Sequence, residues 1–283
     1  MGAIPVVGNV TDKRSVLEGM HGCDWVVHLA NIYSFWEPDK RIYTQVNVEG
    51  TRNVMECALE VGVRKVVHVS TALVYGKPAD SPFTEESPAG PQLFSEYART
   101  KAAGDRIAWD LHTKAGLPLV MIYPGGVLGP GDTKPTGQYI RNLIHKKLPV
   151  TAFDDSVQTY VHVKDVAEAI VRALEKENNL GEKYLIGKDA LPYRKYNRLI
   201  SELSGVPLPK IRLPGSLVMA QAMLLTGLAD LTKKPPLWQM SADAIRTARE
   251  NLWFDGGKAE KELGIVYTPI RVAIEDEIAA DRA

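Results

Sequence analysis

Short apolar runs that alternate with helical patterns constrain the fold of this chain more than any other feature. Four such runs occur, at Trp25–Ala30, Lys65–Ser70, Leu117–Tyr123 and Lys183–Ile186. Strands without polar alternation are buried on both faces, which is typical of a parallel sheet covered by helices. The sequence therefore predicts an α/β fold with a doubly wound parallel sheet.

The remaining elements divide the chain into two parts. A further strand is predicted at Ala3–Val7, and helices at Thr11–Gly19 (with Thr11 as N-cap), Val46–Val61, Ser95–Ala115 and Asp165–Glu175. After Gly187 the pattern changes to helices and proline-punctuated loops. We expect a truncated dinucleotide-binding domain over 1–187 and a smaller, mostly helical substrate cap over 188–283.

The longest apolar stretch, Leu213–Leu231, lies in this second part. It is interrupted by proline, glycine, glutamine and aspartate at Pro214, Gly215, Gln221, Gly227 and Asp230. These interruptions make it a poor membrane span. We therefore expect a helix of the cap here.

Charge and composition give no indication of a nucleic-acid, membrane or metal partner. The 34 basic residues balance the 34 acidic ones, so nothing indicates the basic face that nucleic acid or an anionic membrane requires. The six histidines show no ligand spacing, and no metal is expected. No charged and apolar leader precedes the first predicted strand, so we expect a cytoplasmic protein.

The candidate catalytic pair is Tyr97 and Lys101. Four residues apart on a predicted helix, both side chains project from one face. A neighbouring ammonium favours the phenolate and lowers the pKa of a tyrosine towards the range useful for proton transfer. Thr71, at the carboxyl end of a predicted parallel strand, faces the crevice where such sheets bind ligands. Alone, the spacing of the pair is also compatible with a helix-surface pair, and Thr71 with a strand-end cap.

The order of several motifs raises the value of this pair. Along the chain they are 8-GNVTD-12, 27-VHLA-30, 47-NVEGT-51, 70-STALVYG-76, Tyr97 with Lys101, 124-PGGVLGPGD-132 and 160-YVHVKDVA-167. In this order they resemble the extended short-chain dehydrogenases/reductases of the NAD-dependent epimerase/dehydratase family. The segments 35-FWEPD-39 and 253-WFD-255 are similar to its dihydroflavonol-reductase-like and hopanoid-associated epimerase-like branch. The resemblance covers essentially the whole chain and implies a Rossmann-like sheet.

The resemblance also implies roles for individual residues. Tyr97 is the expected general acid/base, Lys101 the residue that lowers its pKa and binds the nicotinamide ribose, and Thr71 the donor to the substrate oxygen. The expected contacts of the cofactor, NAD or NADP, are the adenine at Asn9 and Val10, the adenosine side at Leu29 and Ala30, and the nicotinamide at Pro124, Gly125 and Val127. Three positions depart from the family pattern, namely Asn9, Tyr123 and Lys164.

Three aromatic residues are candidates for a substrate pocket. Phe35, Trp36 and Tyr75 either line an apolar pocket or pack beneath a loop, and the sequence favours neither. The implied partners are a small-molecule substrate and a second copy of the chain. In the family, helices that correspond to Val46–Val61 and Ser95–Ala115 form the interface of a homodimer.

One part of the family pattern is not found. A dinucleotide-binding fold opens with a strand, a glycine-rich turn and a helix N-terminus that holds the pyrophosphate. No such glycine pattern follows a strand here, and Met1 falls where the family's third strand begins. We expect that a strand–helix–strand unit of roughly 50 residues is missing, judged from the size of such units. The chain as given is then expected to bind dinucleotide weakly or not at all.

Three functions remain open from the sequence. The first is hydride transfer between a nicotinamide cofactor and a carbonyl or secondary alcohol of a small organic or sugar-like substrate. The second is nucleotide-sugar epimerisation or dehydration, which uses the same residues. The third is a non-catalytic binding protein that retains the sheet without the cofactor.

Overall fold

A four-stranded parallel sheet forms the centre of the computed structural model, which describes residues 3–282. The strands of the chain are β1 (Trp25–His28), β2 (Lys65–Val69), β3 (Leu119–Pro124), β4 (Gly126–Leu128), β5 (Val150–Thr151), β6 (Val157–His162), β7 (Lys183–Ile186), β8 (Asp189–Pro192) and β9 (Ile211–Arg212). In the main sheet the order is β1-β2-β3-β7. The four long apolar runs of the sequence are these four strands, and the predicted α/β fold is confirmed.

Helices cover this sheet and build the second part of the chain. They are α1 (Lys13–Met20), α2 (Arg41–Tyr43), α3 (Thr51–Val61), α4 (Glu96–Ala115), α5 (Pro135–Ile144), α6 (Val163–Glu175), α7 (Tyr193–Ser204), α8 (Gly215–Thr232), α9 (Ala242–Arg249), α10 (Gly257–Leu263) and α11 (Ile270–Arg282). A π-helical segment, Thr44–Gly50, joins α2 to α3, and 3₁₀ turns lie at Ala72–Tyr75 and Leu237–Gln239.

Alternate residues of each central strand enter opposite cores, as the period of a strand requires. Along β3, Leu119 and Met121 join the core that α1, α3 and α4 cover, whereas Val120 and Ile122 join the core under α6 and α10. Both faces are thus apolar, which explains why the sequence shows no polar alternation.

The long helix α4 begins and ends where its sequence provides caps. The Ser95 hydroxyl accepts a hydrogen bond from the Ala98 N–H at 3.2 Å, and Gly116 ends the helix at φ 76°. The expected helix over Ser95–Ala115 is therefore confirmed, with Ser95 as its N-cap. The helix expected over Val46–Val61 is also present, although its first part is the π-helical segment that starts at Thr44.

Two predictions near the N-terminus are wrong. Residues Ala3–Val7 form no strand, because β1 is hydrogen-bonded only to β2 and no other described strand pairs with this segment. The first helix begins at Lys13, and its N-cap is Asp12 rather than Thr11. The Asp12 carboxylate accepts from the Arg14 N–H at 3.0 Å, and an ionised oxygen is a stronger acceptor than a hydroxyl.

A third core lies beyond the carboxyl end of the main sheet. It joins α5, α7 and α11 to the small mixed sheet β4-β6-β8, with Tyr160 and Tyr196 stacked at 4.4 Å in its centre. The chain then returns to the first part. Phe254 packs on Phe83, and α10 lies against α6 and β7. The division at residue 187 remains a prediction.

Candidate functional site

The carboxyl end of β2 and one face of α4 form a seam of polar contacts. The last residue of β2 and the residues that follow it contact residues of α4 that are four apart. That spacing places the α4 side chains on one face of the helix. Thr71 faces the hydroxyl of Tyr97, and the Lys101 ammonium donates to the Val69 carbonyl at 2.9 Å. The structure therefore brings the three sequence-predicted catalytic side chains together, all of them buried.

One helical turn further along α4, Asp105 continues the seam. Its carboxylate accepts a hydrogen bond from the Ser70 hydroxyl at 2.6 Å and contacts the His68 ring at 2.9 Å. The ring of His28 stacks on His68 at 5.3 Å and bonds to the Thr51 hydroxyl at 3.0 Å. A buried polar network thus connects the ends of β1 and β2 to α4.

Burial is the main cause of the pKa shifts of the candidate catalytic pair, Tyr97 and Lys101. It raises the pKa of Tyr97 well above the usual value for tyrosine, and the neighbouring Tyr33 acts in the same direction, while the contact with Thr71 lowers it. Burial also lowers the pKa of Lys101, against the opposing effect of the Asp105 carboxylate. The tyrosine pKa is therefore shifted in the direction opposite to the one that its spacing from Lys101 suggests.

An aromatic cluster surrounds the Tyr97 ring. Tyr33 lies 4.9 Å from it, and Phe35 meets it edge-on at 6.4 Å. Phe35 also lines a cavity of about 1010 Å³ between the loop that precedes α2, the segment 91–96 and the helices α8 and α9. Phe35 thus lies between the candidate catalytic Tyr97 and a cavity large enough for a small organic molecule.

The cavity is amphipathic. Its apolar lining includes Phe35, Trp36, Tyr43, Leu93, Phe94 and Met223. Charged residues on its rim are largely paired, as in the contacts of Lys40 with Asp230 at 3.3 Å and of Arg246 with Asp243 at 2.9 Å. Trp36 donates its indole N–H to Asp230 at 3.0 Å, which fixes the ring at the cavity wall.

Tyr75 lies apart from the two other candidate pocket residues. It stacks on Phe83 at 4.9 Å, and its hydroxyl donates to the Glu85 carbonyl at 3.2 Å. It belongs to the core beneath the sheet and does not line the cavity, because the 3₁₀ turn at Ala72–Tyr75 directs it inward. Of the three candidate pocket residues, Phe35 and Trp36 line the cavity and Tyr75 does not.

The candidate cofactor residues lie along the carboxyl edge of the sheet. Leu29 and Ala30 are exposed after β1, whereas Pro124 is buried and Gly125 and Val127 are half-buried after β3. The Asn9 side chain is exposed, and its amide oxygen accepts from the Thr11 N–H at 3.0 Å. The carbonyl of Val10 accepts from Asn53 at 2.9 Å. Apart from the Lys101 ammonium and the Asn9 amide, these groups present backbone and apolar surface.

Sequence reasoning missed Asp105 and Tyr33. The first had a signal, because Asp105 follows Lys101 at the same spacing of four that joins Lys101 to Tyr97. Tyr33 had none, since only the folded loop after β1 brings it to Tyr97. Within residues 3–282 no cluster of three or more histidine, cysteine or acidic side chains is arranged to hold a metal ion.

The sequence is similar to a known enzyme family and to named relatives. A profile of the NAD dependent epimerase/dehydratase family matches residues 3–187. A putative dihydroflavonol 4-reductase of Synechocystis sp. is 27% identical over 281 residues, covering 96% of this chain and 80% of the relative. Sterol demethylase protein B of Methylococcus capsulatus is 28% identical over 277 residues, covering 96% and 83%.

Solved structures share the fold. The crystal structure of gox2253 superposes with a TM-score of 0.82 at 31% identity, covering 98% of this chain and 84% of the other. A dTDP-glucose 4,6-dehydratase of Streptomyces venezuelae, DesIV, whose structure holds NAD, superposes at 0.74 with 24% identity, covering 97% and 78%.

Proposed function

Because this chain belongs to the NAD-dependent epimerase/dehydratase family, we propose that it carries out hydride transfer between a nicotinamide dinucleotide and a carbonyl or secondary alcohol. The substrate is a small organic or sugar-like molecule that enters the cavity beside Phe35. The observation that carries this proposal is the buried Tyr97 hydroxyl, which faces Thr71 and has Lys101 one turn away on α4.

Three residues of the seam, Tyr97, Thr71 and Lys101, have a part in the proposed reaction. Tyr97 gives its hydroxyl proton to the substrate oxygen in reduction and takes it back in oxidation. Thr71 holds the same oxygen by a hydrogen bond. The Lys101 ammonium favours the phenolate after the proton has left. When bound, a nicotinamide ring supplies or accepts the hydride.

The described residues fit the nicotinamide side of such a cofactor. The Lys101 ammonium has three N–H donors, and among the described residues it donates to one acceptor, the Val69 carbonyl. Donors therefore remain for ribose hydroxyls. Pro124 and the half-buried Gly125 and Val127 border the proposed nicotinamide position, and the exposed Leu29 and Ala30 offer apolar surface to the adenosine side.

The pyrophosphate side fits less well. The glycine-rich stretch Gly125–Gly131 follows β3, but it continues into the strand β4 and opens no helix N-terminus. Since residues 3–282 provide no glycine-rich turn that joins a strand to a helix N-terminus, we propose that this chain binds the dinucleotide weakly. We further propose a cytoplasmic homodimer, with α3 and α4 at its interface.

The catalytic assignment is tested by the substitution Tyr97→Phe. Removal of the hydroxyl removes the proton donor, and we expect turnover of a ketone substrate to fall by roughly 100-fold or more. Turnover is measured at one high cofactor concentration, the same for every variant. Tyr184→Phe is the matched control, since Tyr184 is equally buried but bonds to Glu262 through a hydroxyl on the far face of the sheet. Undiminished turnover of Tyr97→Phe would refute the assignment.

A further inference from the structure

The helix α8 carries an apolar stripe that no described residue covers. The stripe consists of Leu217, Leu224, Leu228 and Leu231, which are 50–82% exposed. Their spacing places them within an arc of roughly 80° on the helix, at about 100° per residue. The small Ala220 lies in the same arc, and no charged residue of α8 does. This arc is the outer face of α8.

The opposite face of α8 is firmly attached to the protein. Val218, Ala222 and Ala229 are buried there, and α8 packs against α9. The Thr226 hydroxyl accepts from the Ala242 N–H at 2.8 Å, and Asp230 binds Trp36 and Lys40. The helix is long and apolar enough to cross a membrane by length and composition, with 17% of it buried. These contacts hold it along the protein surface instead.

The ends of the stripe are cationic and aromatic. Lys233 and Lys234 directly follow α8, and Lys210 precedes it; within residues 3–282 none of the three forms an ion pair. Beyond the lysines, Leu237 and Trp238 are exposed at 63% and 45%. A leucine stripe with flanking lysines and a tryptophan has the chemistry of helices that lie in the interface of a bilayer.

We propose that the outer face of α8 docks on an anionic lipid bilayer, with the helix parallel to the surface. The leucines enter the acyl boundary, and the lysines meet lipid phosphates. A second copy of the chain suits this surface less well. A self-paired stripe offers Lys233 and Lys234 no anionic partner, because no acidic residue of α8 lies in the arc, whereas lipid phosphates supply one.

The docked orientation has a consequence for substrate access. Met223, Thr226 and Gly227 line the cavity, and they lie on the side of α8 next to the stripe. An apolar molecule dissolved in the bilayer therefore reaches the cavity mouth without crossing water. The proposal of docking itself does not depend on the proposed catalytic function, because it is tested by binding alone.

The test is sedimentation of the full chain with vesicles. One set contains phosphatidylcholine alone, and a second contains phosphatidylcholine with phosphatidylglycerol. We expect binding to the anionic vesicles that decreases as salt is added. The triple variant Leu224→Glu, Leu228→Glu, Leu231→Glu should partition at least about tenfold less, since its charged side chains oppose entry into the acyl boundary. Lys233→Glu with Lys234→Glu should lose the preference for anionic lipid.

Val266→Glu is the matched control. Val266 is also highly exposed but lies after α10, away from the stripe, and this variant should bind as the unaltered protein does. Circular dichroism establishes that each variant is folded. Absence of binding to both vesicle types overturns the proposal. So does a stable dimer in light scattering that the triple variant abolishes while vesicle binding is absent, because a second copy then covers the stripe.

Discussion

At the scale of single residues, the proposed chemistry depends on Tyr97 and the groups that shift its pKa. Burial raises the pKa of this tyrosine, so it is protonated through the neutral range. Its surroundings therefore favour proton donation, the direction of carbonyl reduction. Oxidation of an alcohol requires the unprotonated form, which is scarce until the pH is high.

A pH dependence with opposite behaviour in the two directions follows. We expect kcat/KM for reduction to be constant across the neutral range, and kcat/KM for oxidation to rise about tenfold per pH unit as more of Tyr97 ionises. Initial rates in both directions between neutral and alkaline pH provide the measurement. An oxidation rate that is flat over this interval would show that Tyr97 is not the base.

We propose that Asp105 is a positioning residue that acts through its charge. Its carboxylate raises the pKa of both Tyr97 and Lys101 and holds Ser70 and His68 at the end of β2. In Asp105→Asn the negative charge is lost and the shape is kept. The oxidation profile should therefore shift to lower pH, because the phenolate of Tyr97 is no longer opposed by a neighbouring anion.

The control for this variant is Asp110→Asn on the same helix. Asp110 is exposed and pairs with Lys114 at 3.0 Å, so its removal should leave the profile unchanged. A profile that Asp105→Asn also leaves in place, with only the overall rate reduced, would mean that Asp105 has a structural role alone.

The positions of the candidate site residues were partly predictable from the sequence. The spacing of Tyr97 and Lys101 places them on one helix face whatever the rest of the fold, and Thr71 follows a strand that is evident from its apolar run. The location of Tyr75 depends on a single 3₁₀ turn, which the sequence does not mark, and Tyr33 reaches Tyr97 only through the loop after β1. The pKa of Tyr97 depends on burial, which spacing does not report.

At the scale of elements, the seam depends on how closely α4 approaches the π-helical segment Thr44–Gly50. Gly104 makes this approach possible. A Cβ atom at this position lies only 2.5 Å from the Asn47 carbonyl oxygen and 3.2 Å from the Thr51 hydroxyl. Asn47 in turn donates to Thr100 at 3.1 Å, so the contact also fixes the rotation of α4 beside the seam.

Gly104→Ala should therefore destabilise the protein despite the better helix propensity of alanine. We expect a loss of about 1–3 kcal/mol in the free energy of unfolding, since backbone atoms must shift to admit the methyl group. Urea denaturation followed by circular dichroism gives this value. Gly227→Ala is the control, because nothing lies within 4 Å of its Cβ position, and a gain of up to about 1 kcal/mol is expected there. Equal or greater stability of Gly104→Ala would contradict the close approach.

Element prediction succeeded where one physical signal was sufficient. The strands β1, β2, β3 and β7 are read from apolar runs because both faces of the sheet are covered. Ala3–Val7 has a similar run and forms no strand, because a strand needs a hydrogen-bonded neighbour and none of the described strands supplies one. Local pattern determines whether a segment suits a strand, and tertiary pairing determines whether the strand forms.

At the scale of the whole molecule, the two cores on the faces of the main sheet are joined by a third core beyond its carboxyl edge. The seam of β2 and α4 lies on one side, and the cavity under α8 and α9 lies on the other, with Phe35 between them. The family and the α/β fold were predictable because many motifs occur in order. The cavity was not, since its lining comes from four separated segments of the chain.

The measurement that tests this account most directly is transfer of deuterium from nicotinamide-deuterated NADH or NADPH to a ketone, followed by mass spectrometry as the cofactor concentration is raised. We predict label in the alcohol product, net consumption of cofactor, and a rate that keeps rising into the millimolar range, because the proposed site has residues for the nicotinamide side while the described residues provide no glycine-rich phosphate turn. Absence of label at every concentration would contradict the proposed hydride transfer. Saturation at micromolar cofactor would show instead that the chain builds a phosphate site, and would contradict the weak binding proposed here.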